Sequence, residues 1–116
     1  MRDSEREIGM AEFERVEIRV GTIVEAAPFP EARKPLVRLR IDFGPGIGVR
    51  RSAAGLTGRY AIEELPGRQV LACLNLGVRT IAGFPSECLT LGVPDAEGRP
   101  VLLSPTAVVP DGGRLY

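Results

Sequence analysis

The chain has 116 residues, 44% of them apolar, the size and composition of one globular domain. Its 15 basic residues balance its 15 acidic ones, so the positive excess needed to grip a long duplex is absent. With no histidine, it lacks the parts for a His-based relay or a common structural zinc site, which excludes most hydrolase mechanisms.

Residues 1–10 are expected to form a flexible lead-in, and residues 11–116 a single domain. The start, Met1 to Glu7, is charged and has no apolar stretch of the secretory kind. No run reaches the roughly 18 apolar residues of a membrane span, so no membrane insertion is expected and the cytoplasm is the expected location. Ser4 and Glu7 have capping-box spacing, but Gly9 keeps any helix there short. Met10 to Arg15 is expected to make a turn or two of helix, with Phe13 pointing inward.

From Val16 the period changes to two. Val16, Ile18 and Val20 alternate with Glu17 and Arg19, and Gly21 is expected to mark a bulge or tight bend before Thr22-Ile23-Val24. Pro28 to Pro35 is a proline-punctuated loop. Val37, Leu39, Ile41 and Phe43 then alternate with Arg38, Arg40 and Asp42, the pattern of a half-buried strand. Gly44-Pro45-Gly46 turns the chain, and Ile47 to Ser52 returns as the second arm of a hairpin. A short helix is expected around Thr57 to Glu64, ended by Leu65-Pro66-Gly67, with Glu63 and Glu64 on its surface and Glu64 unpartnered.

Strands are expected at Gln69–Leu76 and Glu87–Leu91, joined by a long polar loop, and Val93 to Gly98 reads as a turn. Val101-Leu102-Leu103 and Ala107-Val108-Val109 are apolar pieces beyond what one small barrel easily buries. Cys73 and Cys88 lie in apolar strand patterns without C-x-x-C spacing, so both are expected to be buried reduced thiols. The fold class this order predicts is mostly β: a five-stranded Greek-key barrel of the oligonucleotide-binding (OB) type, with short helices and a C-terminal extension.

Three groups of residues are candidates for recognition. Arg38 and Arg40 share one strand face, and a turn centred on Pro45 sets Arg40 opposite Arg50, with Asp42 as the compensating acid. That face is either internally balanced or part of a binding surface. In the loop 29–35, Phe29 beside Arg33 and Lys34 suits stacking or an apolar contact, or else caps the barrel. Between Asn75 and Leu89, Asn75 offers an amide at a strand end. Arg79 offers a guanidinium for phosphate or carboxylate, and Gly83 a positive φ or a close approach. Ser86 and Glu87 open the next strand on opposite faces; Asn75 and Ser86 either bind a ligand or staple the loop. No nucleophile–base pair, metal cluster or phosphate-cradling loop is present, so neither an enzyme nor a cofactor is expected.

The elements Ile18-Arg19-Val20-Gly21-Thr22-Ile23, Pro30-x-Ala32-Arg33-Lys34, Asn75-Leu76-x-x-Arg79-x-Ile81-x-Gly83 and Ser86-Glu87-x-Leu89 resemble the tRNA-binding domain appended to some methionyl-tRNA and phenylalanyl-tRNA synthetases. The resemblance runs from about residue 11 to 115, as in a stand-alone member. Ile81-Ala82-Gly83-Phe84 followed by Ser86-Glu87 is similar to the CsaA branch of that family. Thr80 stands where the synthetase-appended domains tend to carry Lys, and Cys88 where they carry Gly. Gly55, after Ser52-Ala53-Ala54, stands where CsaA relatives often have Gln.

What the resemblance implies is a non-catalytic homodimer joined through its N-terminal residues and C-terminal extension. Its implied ligands are unfolded or precursor polypeptides in protein export, or alternatively tRNA gripped through Asn75, Arg79 and Ser86. Ser52 is carried with these as a candidate contact. Neutral charge together with Phe29, Ile81 and Phe84 tilts the sequence reading towards polypeptide.

Overall fold

The computed structural model describes residues 5–56 and 58–116. Its body is an antiparallel sheet of β1 (Ile18–Pro28), β2 (Val37–Asp42), β3 (Val49–Ala54), β4 (Gln69–Cys73) and β7 (Leu89–Thr90), in the order β3-β2-β1-β4-β7. Two hairpins stand off this sheet: β5 (Arg79–Ile81) with β6 (Phe84–Ser86), and β8 (Gly92–Pro94) with β9 (Pro100–Leu102). The expected five-stranded barrel is therefore present, and two segments read as a loop and a turn are hairpins.

One long strand makes the curl possible. β1 pairs with β4 through Ile18–Thr22 and with β2 through Thr22–Pro28, and its register with β2 slips at Val24. The bulge is thus at Val24 and not at the expected Gly21. Gly21 has a different job: a Cβ there would lie 2.7 Å from both Ile41 Cγ2 and Phe43 Cδ1, so only glycine lets the β2 side chains cross this strand. Ile23, Val37, Leu39, Ile41, Phe43, Ala54, Leu65, Val70 and Ala72 fill the interior.

The barrel closes through side chains as much as through backbone. Ser52 is fully buried, and its hydroxyl bonds Cys88 O and Thr90 Oγ1 at 3.1 and 2.8 Å. Ser86 Oγ accepts from Ala53 N at 3.0 Å. Glu87 N donates to Arg51 O at 2.7 Å, while Arg51 N and Nε both donate to Glu87 Oε1. These bonds cover the β3 edge that an open sheet would leave unpaired.

The edge of β1 left free by β2 is covered by the chain's C-terminal segment. Val20 N donates to Gly113 O and Gly112 N to Val20 O, and Gln69 clasps the Val109 backbone with both ends of its amide. Asp111 accepts from Thr22 Oγ1 and Gln69 Nε2. The free edge of β1 at Ile18, Arg19 and Val20 therefore pairs with a C-terminal strap, and Gly21 and Ile23 point into the barrel. The expected helix near the start is α1 (Met10–Glu14), with Phe13 half-buried. Ser4, and with it the proposed cap, falls outside the described residues, as does Thr57. Residues 58–61 are turn and irregular, so the longer helix shrinks to one 3₁₀ turn at Ile62–Glu64. There Glu64 is not free: its carboxylate accepts from Ala61 N at 2.7 Å.

Candidate recognition surface

The segment 75–89 is built around a two-residue turn. Ala82 and Gly83 both have positive φ, 46° and 80°, which makes the β5–β6 connection type I′ and pairs Ile81 with Phe84. Gly83 supplies positive φ in open space, with nothing within 4 Å of an added Cβ. The hairpin stands between two hollows. One, of about 340 Å³, lies against the loop of Glu31, Ala32, Arg33, Lys34 and Leu36, with Arg79, Ile81 and Ala82 on the hairpin side. The other, of about 200 Å³, is lined by Glu25, Ala27, Arg38, Leu39, Arg40, Arg51 and Phe84.

Arg33, Lys34 and Arg79 thus meet around one hollow, and Arg38 and Arg40 line the next. None of these five makes an ion pair among the described residues. Arg38 is held over two rings, 5.3 Å from the Phe29 centroid and 5.9 Å from that of Phe84. Phe29 is 5% exposed and meets Phe84 edge-on at 5.5 Å, so it caps the barrel and is no stacking platform.

The register corrects the arginine hairpin. Arg40 faces Arg51, and Arg50 faces Ile41, so the turn is centred between Pro45 and Gly46. The compensating acid is not Asp42, whose carboxylate accepts from Gly44 N at 2.9 Å. It is Glu87, 3.0 Å from Arg51 Nε. Hydrogen bonds from the Arg51 side chain and backbone hold the Glu87 carboxyl below its usual range.

Other candidates are committed within the fold. Asn75 Oδ1 accepts from Glu17 N at 2.9 Å, and Asn75 Nδ2 donates to Arg15 O at 2.6 Å, which ties the segment before β1 to the end of β4. Ser52, Ser86 and Glu87 spend their polar groups on barrel closure. Cys73 and Cys88 are buried, and burial pushes the Cys88 thiol up to about 11, so it stays protonated at neutral pH. Arg51, Glu25 and Leu36 join the surface unforeseen. The alternation of β2 could have flagged Arg51, had the hairpin register been known.

A second surface lies at the chain ends. Met10, Phe13, Glu14, Val16, Arg114, Leu115 and Tyr116 enclose an apolar hollow of about 460 Å³. Met10 and Val16 are 68% and 41% exposed. Among the described residues no cluster of three or more metal-ligating side chains occurs, and no helix is long and apolar enough to cross a membrane.

A small OB-type barrel with an arginine-rich, largely unpaired face is the architecture of a recognition module. The chain belongs to the putative tRNA binding domain family, whose model matches residues 18–114. It is 38% identical over 109 residues to a methionine–tRNA ligase of Porphyromonas gingivalis, covering 94% of this chain and only 16% of that enzyme. Two solved structures match over nearly the full length of both chains. The chaperone CsaA of Bacillus anthracis superposes with a TM-score of 0.86 at 41% identity, over 95% of this chain and 99% of that one. CsaA of Picrophilus torridus gives 0.88 at 36% identity, over 95% and 100%.

Proposed function

We propose that the chain is a non-catalytic binding protein of the CsaA type, and that its arginine face takes tRNA. The observation that carries this is the gathering of Arg33, Lys34, Arg38, Arg40 and Arg79, without ion-pair partners among the described residues, around one hairpin of a protein with zero net charge. Five cations without ion-pair partners among the described residues, around hollows that hold only the acids Glu25 and Glu31, favour a polyanionic ligand. RNA is gripped largely by shape and phosphate contacts, for which a local patch suffices. The bet thereby moves from polypeptide, favoured by the sequence, towards RNA. In a gel-retardation titration at low salt, micromolar protein retards tRNA, and Arg79→Ala weakens it. Absence of any retardation removes this reading.

A second reading, capture of unfolded or precursor polypeptides for export, is supported by the apolar Leu36, Ile81 and Ala82 in the 340 Å³ hollow. It is also supported by the likeness to two proteins described as chaperones. Suppression of aggregation of a denatured client tests it, and failure to bind any unfolded peptide removes it. For either ligand we place the working form as a cytoplasmic homodimer. Its interface would cover the apolar hollow between α1 and the chain's end. Analytical ultracentrifugation at micromolar concentration checks the dimer.

A further inference from the structure

One side of β5 is an open edge. In a type I′ hairpin the closing pair, Ile81 and Phe84, is hydrogen-bonded, and bonded pairs alternate with unbonded ones along the ladder. Arg79 therefore bonds Ser86, while Thr80 faces Pro85 without ladder bonds, as the missing N–H of proline requires. The N–H and C=O of Thr80 point away from β6, and neither has a backbone partner among the described residues. Val78, two residues back and 65% exposed, extends the same edge. On the inner face of this edge lies the 340 Å³ hollow, with Leu36 and Ile81 as apolar lining and Arg33, Lys34 and Arg79 as its cations, against one acid, Glu31.

We propose that this edge takes an extended polypeptide as an added strand, with main-chain pairing at Thr80 and Val78. Side chains directly opposite in a ladder share a face and interact. The added strand thus places an apolar residue opposite Ile81 and an acidic one, two positions on, opposite Arg79. This is strand addition with a charge filter, and it selects acidic–apolar alternating segments. The inference rests on the polypeptide reading above and gives it a site and a sequence preference.

The probe is a ten-residue peptide of alternating Thr and Val in which two Val positions are Glu, with a Lys-for-Glu version as control. Binding is followed by NMR hydrogen exchange. The acidic peptide is expected to protect the Thr80 and Val78 amides, and the control to bind on the order of tenfold more weakly. Thr80→Pro removes one edge donor and no ladder bond, so peptide affinity falls on the order of tenfold while tRNA retardation is retained. Protection in the native chain is read without any variant, so a folding defect in Thr80→Pro does not decide the outcome. Peptide binding without protection at Thr80 overturns strand addition and leaves the polypeptide reading standing. No peptide binding by protein that retards tRNA overturns both and assigns the hollow to RNA.

Discussion

Arg51 and Glu87 exchange three hydrogen bonds across the seam that closes the barrel. The Arg51 backbone N–H and Nε both reach Glu87 Oε1, at 2.9 and 3.0 Å, and Glu87 N returns one to Arg51 O at 2.7 Å. A pair that looks like surface electrostatics is therefore part of the sheet's edge bonding. It also commits Arg51 to an ion pair, whereas Arg38, Arg40 and Arg79 make none among the described residues.

The seam makes stability acid-sensitive. The Arg51 bonds depress the folded-state pKa of Glu87, so the unfolded chain binds the proton more readily. The stabilisation is complete above the ordinary glutamate range near pH 4.3, and is lost as pH falls through the depressed folded value. Glu87→Gln should lower the thermal midpoint by a few degrees at pH 7 and flatten its decline below about pH 4. Thermal melts from pH 2 to 7 check both.

Asn75 is predicted to act as a staple. Asn75→Ala removes the bonds to Arg15 and Glu17 and should cost about 1 kcal/mol of stability in urea unfolding. If the proposed homodimer forms through α1, the loss of this tether should also shift it towards monomer. The tRNA affinity of the folded protein should change little. A large loss of tRNA binding at unchanged stability would show that Asn75 contacts the ligand directly.

Ala82 holds the left-handed conformation that a type I′ turn normally gives to Asn or Gly. Ala82→Asn is expected to raise stability by about 0.5–1 kcal/mol, read from the urea midpoint. The hollows on either side of the hairpin should keep their ligand affinity.

Gly21→Ala is expected to do the opposite. Its methyl group meets Ile41 and Phe43 at 2.7 Å, inside a core where both neighbours are buried. Overpacking of this kind costs about 1–3 kcal/mol, and denaturant titration should show it.

These residues also show where the sequence was readable. The β2 alternation of Val37, Leu39 and Ile41 was legible because that strand buries one face and exposes the other. The sequence places a bulge at Gly21, yet Val24 carries it: glycine signals both a bulge and a close crossing, and only the neighbours distinguish them. The β5–β6 hairpin stayed hidden because Ala82 replaces the usual turn residue and Pro85 argues against a strand. The staple from Asn75 spans 58 and 60 residues of sequence, a separation that local spacing cannot reveal. Arg33, Lys34 and Arg79 are legible as candidates from their loop chemistry, but their common hollow needs the fold.

The central claim is that the unpaired arginine face grips tRNA by its phosphates. It is tested most directly by the salt dependence of tRNA affinity for the native chain and for Arg38→Ala, Arg40→Ala and Arg79→Ala. The expected result is a steep linear fall of log affinity with log salt, with the slope reduced by about one for each phosphate-contacting arginine removed. Affinity that is absent at low salt, or a slope that all three substitutions leave unchanged, contradicts it.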